Sequence, residues 1–417
     1  MPLLEDPSLR GLIIKRREAA ITSDKGTTRG LCEVWLDFSQ EPHVLIQLLA
    51  SANAALPDMG SDHVEVIFDG ATASTPCEID AQRVSSGGEI TTQFQPKRGV
   101  FFGRYGEAKS VVALLANFGD YRLKNRKLSF GDAIFQWDMA PLSDEERERF
   151  KPCETKSFRV THSAVLQRKD GTYLRIDDIE EEVEKLRWFL SFCHGGWVSP
   201  LSLKGLDTME NVVFETWRNT LLSHYRPNSR SWLDSFHSSA IVDVWPGFVE
   251  RWNDPLWKET IKLSFYWLLR GDSGQVGSDG GLILFQAAFE RLAWHLFVID
   301  EQSLTAAAFG KTNAAEKMRL LLTRLGIPND VPTTSPELIQ FATKDGLDGP
   351  GILTRLRNSL VHPAKRKATK HPYPQAYFLA RHYLLLCLLG LFDYHGKYID
   401  WTKLPRWNGE VQKVPWA

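Results

Sequence analysis

At 417 residues the chain has room for two to three domains at about 150 residues each. Hydrophobic residues make up 43% and charged residues 24%, which is the balance of a folded globular protein and excludes wholesale disorder or a fibrous repeat. The formal net charge of -1 excludes a global field that recruits nucleic acid or anionic membrane, so any such binding has to come from a local patch.

From Gly11 to about Gln167 the sequence is strand-like. Short runs such as GLCEVWLDF, HVEVIFDG, GVFFG and SVVALLA are separated by Gly, Asp and Pro breakers, the pattern of a β-sandwich or barrel. His43 to Ala55 (HVLIQLLASANAA) has helical composition and predicts a helix crossing an end of the sheet. SDEERERFKPCETKS reads as a charged hinge, followed by strands in SFRVTHSAVLQ and TYLRID. Asp177 to Cys193 begins with acids and ends with apolar residues, which suits the dipole of a helix. Its acidic run, Asp177 to Glu184, reads as a solvated helix start, and His194-Gly195-Gly196-Trp197 as the cap and turn that end it. Leu201 to Arg251 carries no clear period.

From about Trp257 the pattern is helical: WKETIKLSFYWLLRG, LILFQAAFERLAWHLFVI, NAAEKMRLLLTRLG, SPELIQFATKD, GILTRLRNSLVH and PQAYFLARHYLLLCLLGLF. The best transmembrane candidate, Tyr377 to Phe392, is shorter than the about 20 apolar residues a span needs and carries Arg381 and His382, so it reads as a buried core helix. Gly271 to Gly281 matches no phosphate-binding motif and reads as a loop between helices. Of the 14 tryptophans, Trp232, Trp245, Trp252 and Trp257 read as packing anchors. The five cysteines (Cys32, Cys77, Cys153, Cys193 and Cys387) are odd in number, widely spaced and without a CxxC, which indicates reduced thiols and no zinc cluster. MPLLEDPSLR lacks the basic-then-apolar order of a signal peptide, so a cytoplasmic protein is expected.

One arrangement carries candidate chemistry: Arg357, Asn358 and His362 in TRLRNSLVHP. The spacing alone is weak, since Arg366 and His371 repeat it in a proline-bounded loop. Context separates the first set, because it closes an amphipathic helix and Pro363 disfavours helical geometry at His362. At about 100° per residue, Asn358 and His362 share a face and Arg357 projects from its edge. The helix's negative end favours an imidazolium and Arg357 opposes it, a balance that suits an acid–base histidine as well as a capping one. Arg355, Lys365, Arg366, Lys367 and Lys370 add a basic patch with no acid between Arg355 and His371, where RNA phosphates could dock. Ser359 lies near His362, but no nucleophile-elbow sequence surrounds it.

LRNSLVHP in the penultimate helix of an all-α segment resembles the signature of HEPN domains, helical bundles whose nuclease members carry Arg, a polar residue and a following His. ILFQAAFERLAWHLF, with its internal Glu290, is similar to the early helix of that group, and LLLCLLGLFDYHGKYID to the end of its ApeA-like members, in which a β-rich domain precedes the helical one. The resemblance covers about residues 257 to 400 and extends to the N-terminal half by architecture alone. It implies an α+β multidomain chain: a β-rich, sandwich-like sensor domain over 1–176, a helical or irregular connection over 177–256 and a HEPN-like bundle over 257–417.

The resemblance further implies metal-independent RNA cleavage by a homodimer formed through the C-terminal helices, with no cofactor and no metal. Arg357 would neutralise the scissile phosphate, Asn358 would orient it, His362 would act as acid–base group, and Glu290 would support Arg357. Such proteins resemble toxin-like or abortive-infection effectors in antiviral defence, with a phage-derived or host trigger acting at the N-terminal domain and no membrane partner. The alternatives are a HEPN-like module that binds RNA or protein without cutting it, and a structural adaptor.

Overall fold

The computed structural model describes residues 11–37, 43–50, 57, 61, 63–84, 90–104, 106–119, 121, 127–151, 154–155, 157–225, 230–362, 371–403 and 406–417. The chain divides into two compact units, one of Met1–Gly119, Asn125–Arg187 and Val198–Pro227, the other of Asp120–Lys124, Trp188–Trp197 and Asn228–Ala417.

The first unit opens with strands β1 (Gly11–Ser23), β2 (Gly26–Asp37), β3 (His43–Ala50), β4 (Val64–Phe68), β5 (Thr75–Val84) and β6 (Ile90–Pro96). They form a closed barrel in the order β1-β2-β3-β6-β5-β4, sealed where Ala19 pairs with Phe68 across β1 and β4. Alternation fills the interior: Val64, Val66 and Phe68 are buried while Glu65 and Ile67 are exposed. The helix expected over His43 to Ala55 is a barrel strand through Ala50, and residues 51–55 lie outside the described residues. Its apolar run HVLIQLLA buries Val44, Leu45, Ile46 and Leu48, so the alternation that marks a half-exposed strand is missing.

Strands β7 (Gly99–Gly103), β8 (Ser110–Ala116), β9 (Leu128–Gly131), β10 (Phe135–Pro141), β11 (Val160–Arg168), β12 (Ser199–Leu206) and β13 (Val212–Arg218) form one sheet, ordered β7-β13-β12-β8-β11-β10-β9. Barrel and sheet share one apolar core, so the expected sandwich is a barrel packed with a sheet. Polar ties join them: Lys15 Nζ sits 2.8 Å from Glu215, and Asn219 accepts from the Val44 N–H at 2.7 Å and donates to the Pro96 carbonyl at 2.6 Å. The charged hinge is helix α1 (Asp144–Phe150), with Ser143 and Glu146 in a reciprocal capping box. Helix α2 (Ile176–His194) matches the expectation, and Gly195 at φ +74° ends it with its N–H on the Ser191 carbonyl. The acidic start is not solvated throughout, because Glu182 is buried against Lys185. The boundary expected at 176 differs from the fold, since β12 and β13, within the 177–256 connection, belong to the first unit's sheet.

The second unit is helical: α3 (Ala240–Asn253), α4 (Pro255–Asp272), α5 (Gly277–Trp294), α6 (Ala306–Lys311), α7 (Ala314–Arg324), α8 (Pro336–Asp345), α9 (Gly349–Val361) and α10 (Tyr373–Leu391), then the two-residue strands β14 (Lys397–Tyr398) and β15 (Gln412–Lys413). Helix α5 runs on into a π-helical turn, His295–Asp300. That combined helix is long and apolar enough to cross a membrane by length and composition, and 56% of its apolar window is buried in the protein, as in a core helix. Tyr377 to Phe392 is core, as expected, with Leu384, Leu386, Leu388 and Leu389 fully buried. The four tryptophans are anchors: Trp232, Trp245, Trp252 and Trp257 are at most 1% exposed. Around them Phe192 stacks on Phe265 at 4.6 Å, and Phe189 meets Trp245 edge-on at 4.8 Å. Gly247 lets α3 approach the end of α10, where a Cβ would stand 1.9 Å from the Phe392 carbonyl oxygen.

At the end of α4 the buried Asp272 accepts from Arg381 Nε at 2.9 Å and from the Tyr377 hydroxyl at 2.5 Å, both on α10. Replacing one member of a buried pair strands the other, at a cost of about 3–5 kcal/mol. Asp272→Asn is therefore expected to lower the unfolding free energy of this unit by that amount in urea titrations, and an unchanged value would show that these bonds do not hold α4 to α10.

Two histidines set a pH response. Burial pushes His382 below its ordinary value, against the opposing Asp400 carboxylate 3.3 Å away, and burial with the neighbouring Arg291 does the same to His295. Groups held neutral in the fold take up protons on unfolding, so their stabilisation is complete above about pH 6.5 and is lost as pH falls through the folded values. Urea titrations should show stability falling below that pH, and His382→Gln should flatten the slope.

Candidate functional site at the end of the penultimate helix

Helix α9 starts on Asp348, whose carboxylate accepts from the Gly351 N–H at 2.9 Å and from Arg319 Nη2 of α7 at 3.0 Å. Burial raises that carboxyl, and the Arg319 hydrogen bonds with the Gly351 N–H outweigh it and hold it below the usual range. Ile352, Leu353 and Leu356 are fully buried and anchor the helix in the bundle. In the last turn the chain emerges: Arg357 is half-buried, and Asn358 and Ser359 are exposed.

The candidate residues meet there. Arg357 Nη1 donates to Asn358 Oδ1 at 3.1 Å, so the arginine at the edge of the helix face reaches the face itself. Its buried Nε makes no hydrogen bond. His362 leaves the helix at φ -125° and ψ 72°, outside the helical geometry that the following proline disfavours, while its N–H still donates to the Asn358 carbonyl at 2.9 Å. Its side chain is exposed. A guanidinium, a carboxamide and an imidazole thus gather at one exposed helix end beside its carbonyls, a set that offers cationic donors and a proton carrier.

The supporting residues are placed differently. Glu290 on α5 does not pair with Arg357; it lies 4.0 Å from Lys317 Nζ and 3.4 Å from Gln286 Nε2. Arg355 is engaged by Asp345 at 2.8 Å and lies over Phe341, which neutralises part of the expected basic patch. Lys365, Arg366, Lys367 and Lys370 lie outside the described residues, as does Cys153. The other four cysteines are free and buried. Among the described residues no group of three His, Cys, Asp or Glu could hold a metal ion. Sequence reading missed Tyr373, whose hydroxyl meets Ser359 Oγ at 3.0 Å and ties the start of α10 to the last turn of α9. Its only sequence signal is an aromatic between two prolines in HPYP.

Residues 254–413, α4 onward, match the family described as the YopA C-terminal domain. Residues 109–228, which carry most of the seven-stranded sheet, match the YopA central domain. The chain is similar to YopA. It is 28% identical over 263 residues to the SPbeta prophage-derived uncharacterized protein YopA of Bacillus subtilis (strain 168), covering 62% of this chain and 58% of that relative. The chain thus spans less than two thirds of the relative's length. No solved structure matches.

Because Asn358 and His362 are exposed, alanine at either position should leave the unfolding free energy within about 0.5 kcal/mol of wild type. Parallel urea melts check this, and a larger loss would mean that the residues hold the helix end together.

Proposed function

We propose that the chain is a metal-independent endoribonuclease of the HEPN class, acting as a homodimer whose paired α9 ends form one composite groove. The supporting observation is the convergence of Arg357, Asn358 and His362 at the exposed end of α9, with Arg357 bonded to an amide and not to a carboxylate. An arginine that meets no carboxylate among the described residues keeps its charge for a phosphate, and its planar fork matches two phosphate oxygens.

In this reading Arg357 neutralises the charge that grows on the non-bridging oxygens, and Asn358 orients the arginine or the phosphate. His362 takes the proton of the ribose 2′-hydroxyl as that oxygen attacks phosphorus. The P–O5′ bond breaks, the partner copy's imidazolium protonates the leaving 5′-oxygen, and a 2′,3′-cyclic phosphate remains. The prophage origin of the YopA relative supports a phage-related setting, such as a toxin-like or abortive-infection effector held off until a phage or host signal reaches the β-rich unit.

Mixed cellular RNA incubated with and without EDTA tests the reading. Wild type is expected to cut in both conditions, and His362→Ala and Arg357→Ala to lose about 10²–10⁴-fold in rate. Cutting by both variants at the wild-type rate would refute it. A salt-sensitive gel shift with RNA left intact would favour the non-catalytic module instead.

A further inference from the structure

The first unit holds a second arginine cluster, independent of α9. A cleft of about 220 Å³ lies where the β6–β7 loop, the middle of α2 and the adjoining ends of β12 and β13 meet. Three arginines line it: Arg98 from the loop, Arg187 from α2 and Arg218 from the end of β13. Glu180 and Glu184, at helical spacing with Arg187 on α2, line it too, so the wall carries three positive and two negative side chains. The residual charge is one positive.

These charges are not equally engaged. Arg218 holds Glu180 through both terminal nitrogens, one at 3.0 Å, a fork that fixes the arginine in place. Burial lowers Arg187, with Glu184 opposing, the mark of a guanidinium with too little solvent for its charge. Arg98 is exposed and makes no ion pair with a described residue.

Hydroxyl groups complete the wall. Thr220 Oγ1 donates to Ser199 Oγ, and Ser199 is 3% exposed. A serine that already accepts still has its own O–H to give, so that proton is directed to an acceptor other than Thr220. Asn219 is not available to a ligand, because its amide is spent on Val44 and Pro96, bonds that hold the β13 end against the barrel. The donors open to a ligand are the Arg98 guanidinium, which pairs with no described residue, two partly neutralised guanidiniums and a buried hydroxyl, and the Glu184 carboxylate on the same wall is opposed by Arg187. Such a wall selects an oxyanion, and arginine forks with a hydroxyl match a phosphate group.

We propose that this cleft binds the phosphate group of a small phosphomonoester, with Arg98 and Ser199 as its principal contacts. The volume accommodates the phosphate and a few further atoms, so the rest of the ligand lies towards the exposed Arg98. The proposal does not rest on the ribonuclease reading and holds whether or not the α9 site cuts RNA.

Isothermal titration of the full chain with inorganic phosphate, and separately with a nucleoside 5′-monophosphate, tests it. Saturable binding is expected with both probes. Equal affinities would show that the phosphate is the whole of what is recognised, and tighter binding of the monophosphate that the cleft also reads its substituent. Arg98→Ala should weaken both roughly tenfold, with the unliganded melting temperature unchanged because the side chain is exposed and pairs with no described residue. Ser199→Ala should weaken them by a similar factor. Absence of saturable heat at millimolar concentrations in wild type, or affinities unchanged in Arg98→Ala, would overturn the proposal.

Discussion

The second unit is organised around one buried carboxylate. Asp272 stands at the C-terminal end of α4, where the helix dipole disfavours a negative charge, and it is 6% exposed. It is tolerable there only because Arg381 and Tyr377 donate to it and Arg230 lies 3.8 Å away. A well-packed apolar trio could give as much stability, but it would tolerate a shifted α10, whereas a buried charge with two directional partners does not. Both partners lie on α10, one turn apart, so their bonds fix its rotation as well as its position. From there the constraint passes outward: Tyr373, one turn before Tyr377, meets Ser359 and thereby fixes the last turn of α9. The geometry of Arg357, Asn358 and His362 depends on a carboxylate remote in sequence and on a different helix.

A second device involves α5. Its C-terminal end passes into the π-helical turn His295–Asp300, which alters the angular spacing of the side chains that follow. His295 is held there against Thr260 at 3.0 Å and under the Trp257 ring at 4.1 Å, while Arg291 donates to the same Thr260 hydroxyl at 3.2 Å. One threonine oxygen thus serves two helices, and the neighbouring cation adds to burial in keeping the imidazole neutral. Arg251, over the same tryptophan, reaches Asp300 at 3.1 Å and closes the turn.

What could be read from the sequence follows from how local each feature is. The helices from α4 to α10 were legible apart from the short α6, because their apolar residues recur at helical spacing and Asp254, Asn313 and Asp348 cap three of them as such residues do. Strand β3 reads as a helix because its outer face carries Leu45 and Leu49, the latter 41% exposed, so apolar residues stand on both faces and the alternating signal vanishes. The S-x-x-E box of α1 was present in SDEE and was outweighed by the charge density around it. Strands β12 and β13 are hidden because they also pair with strands 83 to 119 residues upstream, which no local period reports. The same limit separates the two candidate sites. Arg357, Asn358 and His362 lie within two turns of one helix and show as spacing, whereas Arg98 and Arg218 are brought together by sheet register and Arg187 by helix α2.

Both sites express one electrostatic rule. In a protein of near-zero net charge, an arginine is open to a phosphate only where the fold has not already given it a carboxylate. On α9 the distinction falls between neighbours two residues apart: Arg355 is committed to Asp345, while Arg357 is bonded to a neutral amide. In the cleft it falls between Arg218, forked onto Glu180, and Arg98, which meets no described carboxylate. The committed arginine in each place shapes the wall, because its ion pair holds the backbone that carries the open one: Arg355 braces α9 against α8, and Arg218 braces β13 against α2. A phosphate arriving at Arg357 or Arg98 then meets no carboxylate of the described residues that it must expel, and that difference in desolvation is what separates a binding arginine from a structural one.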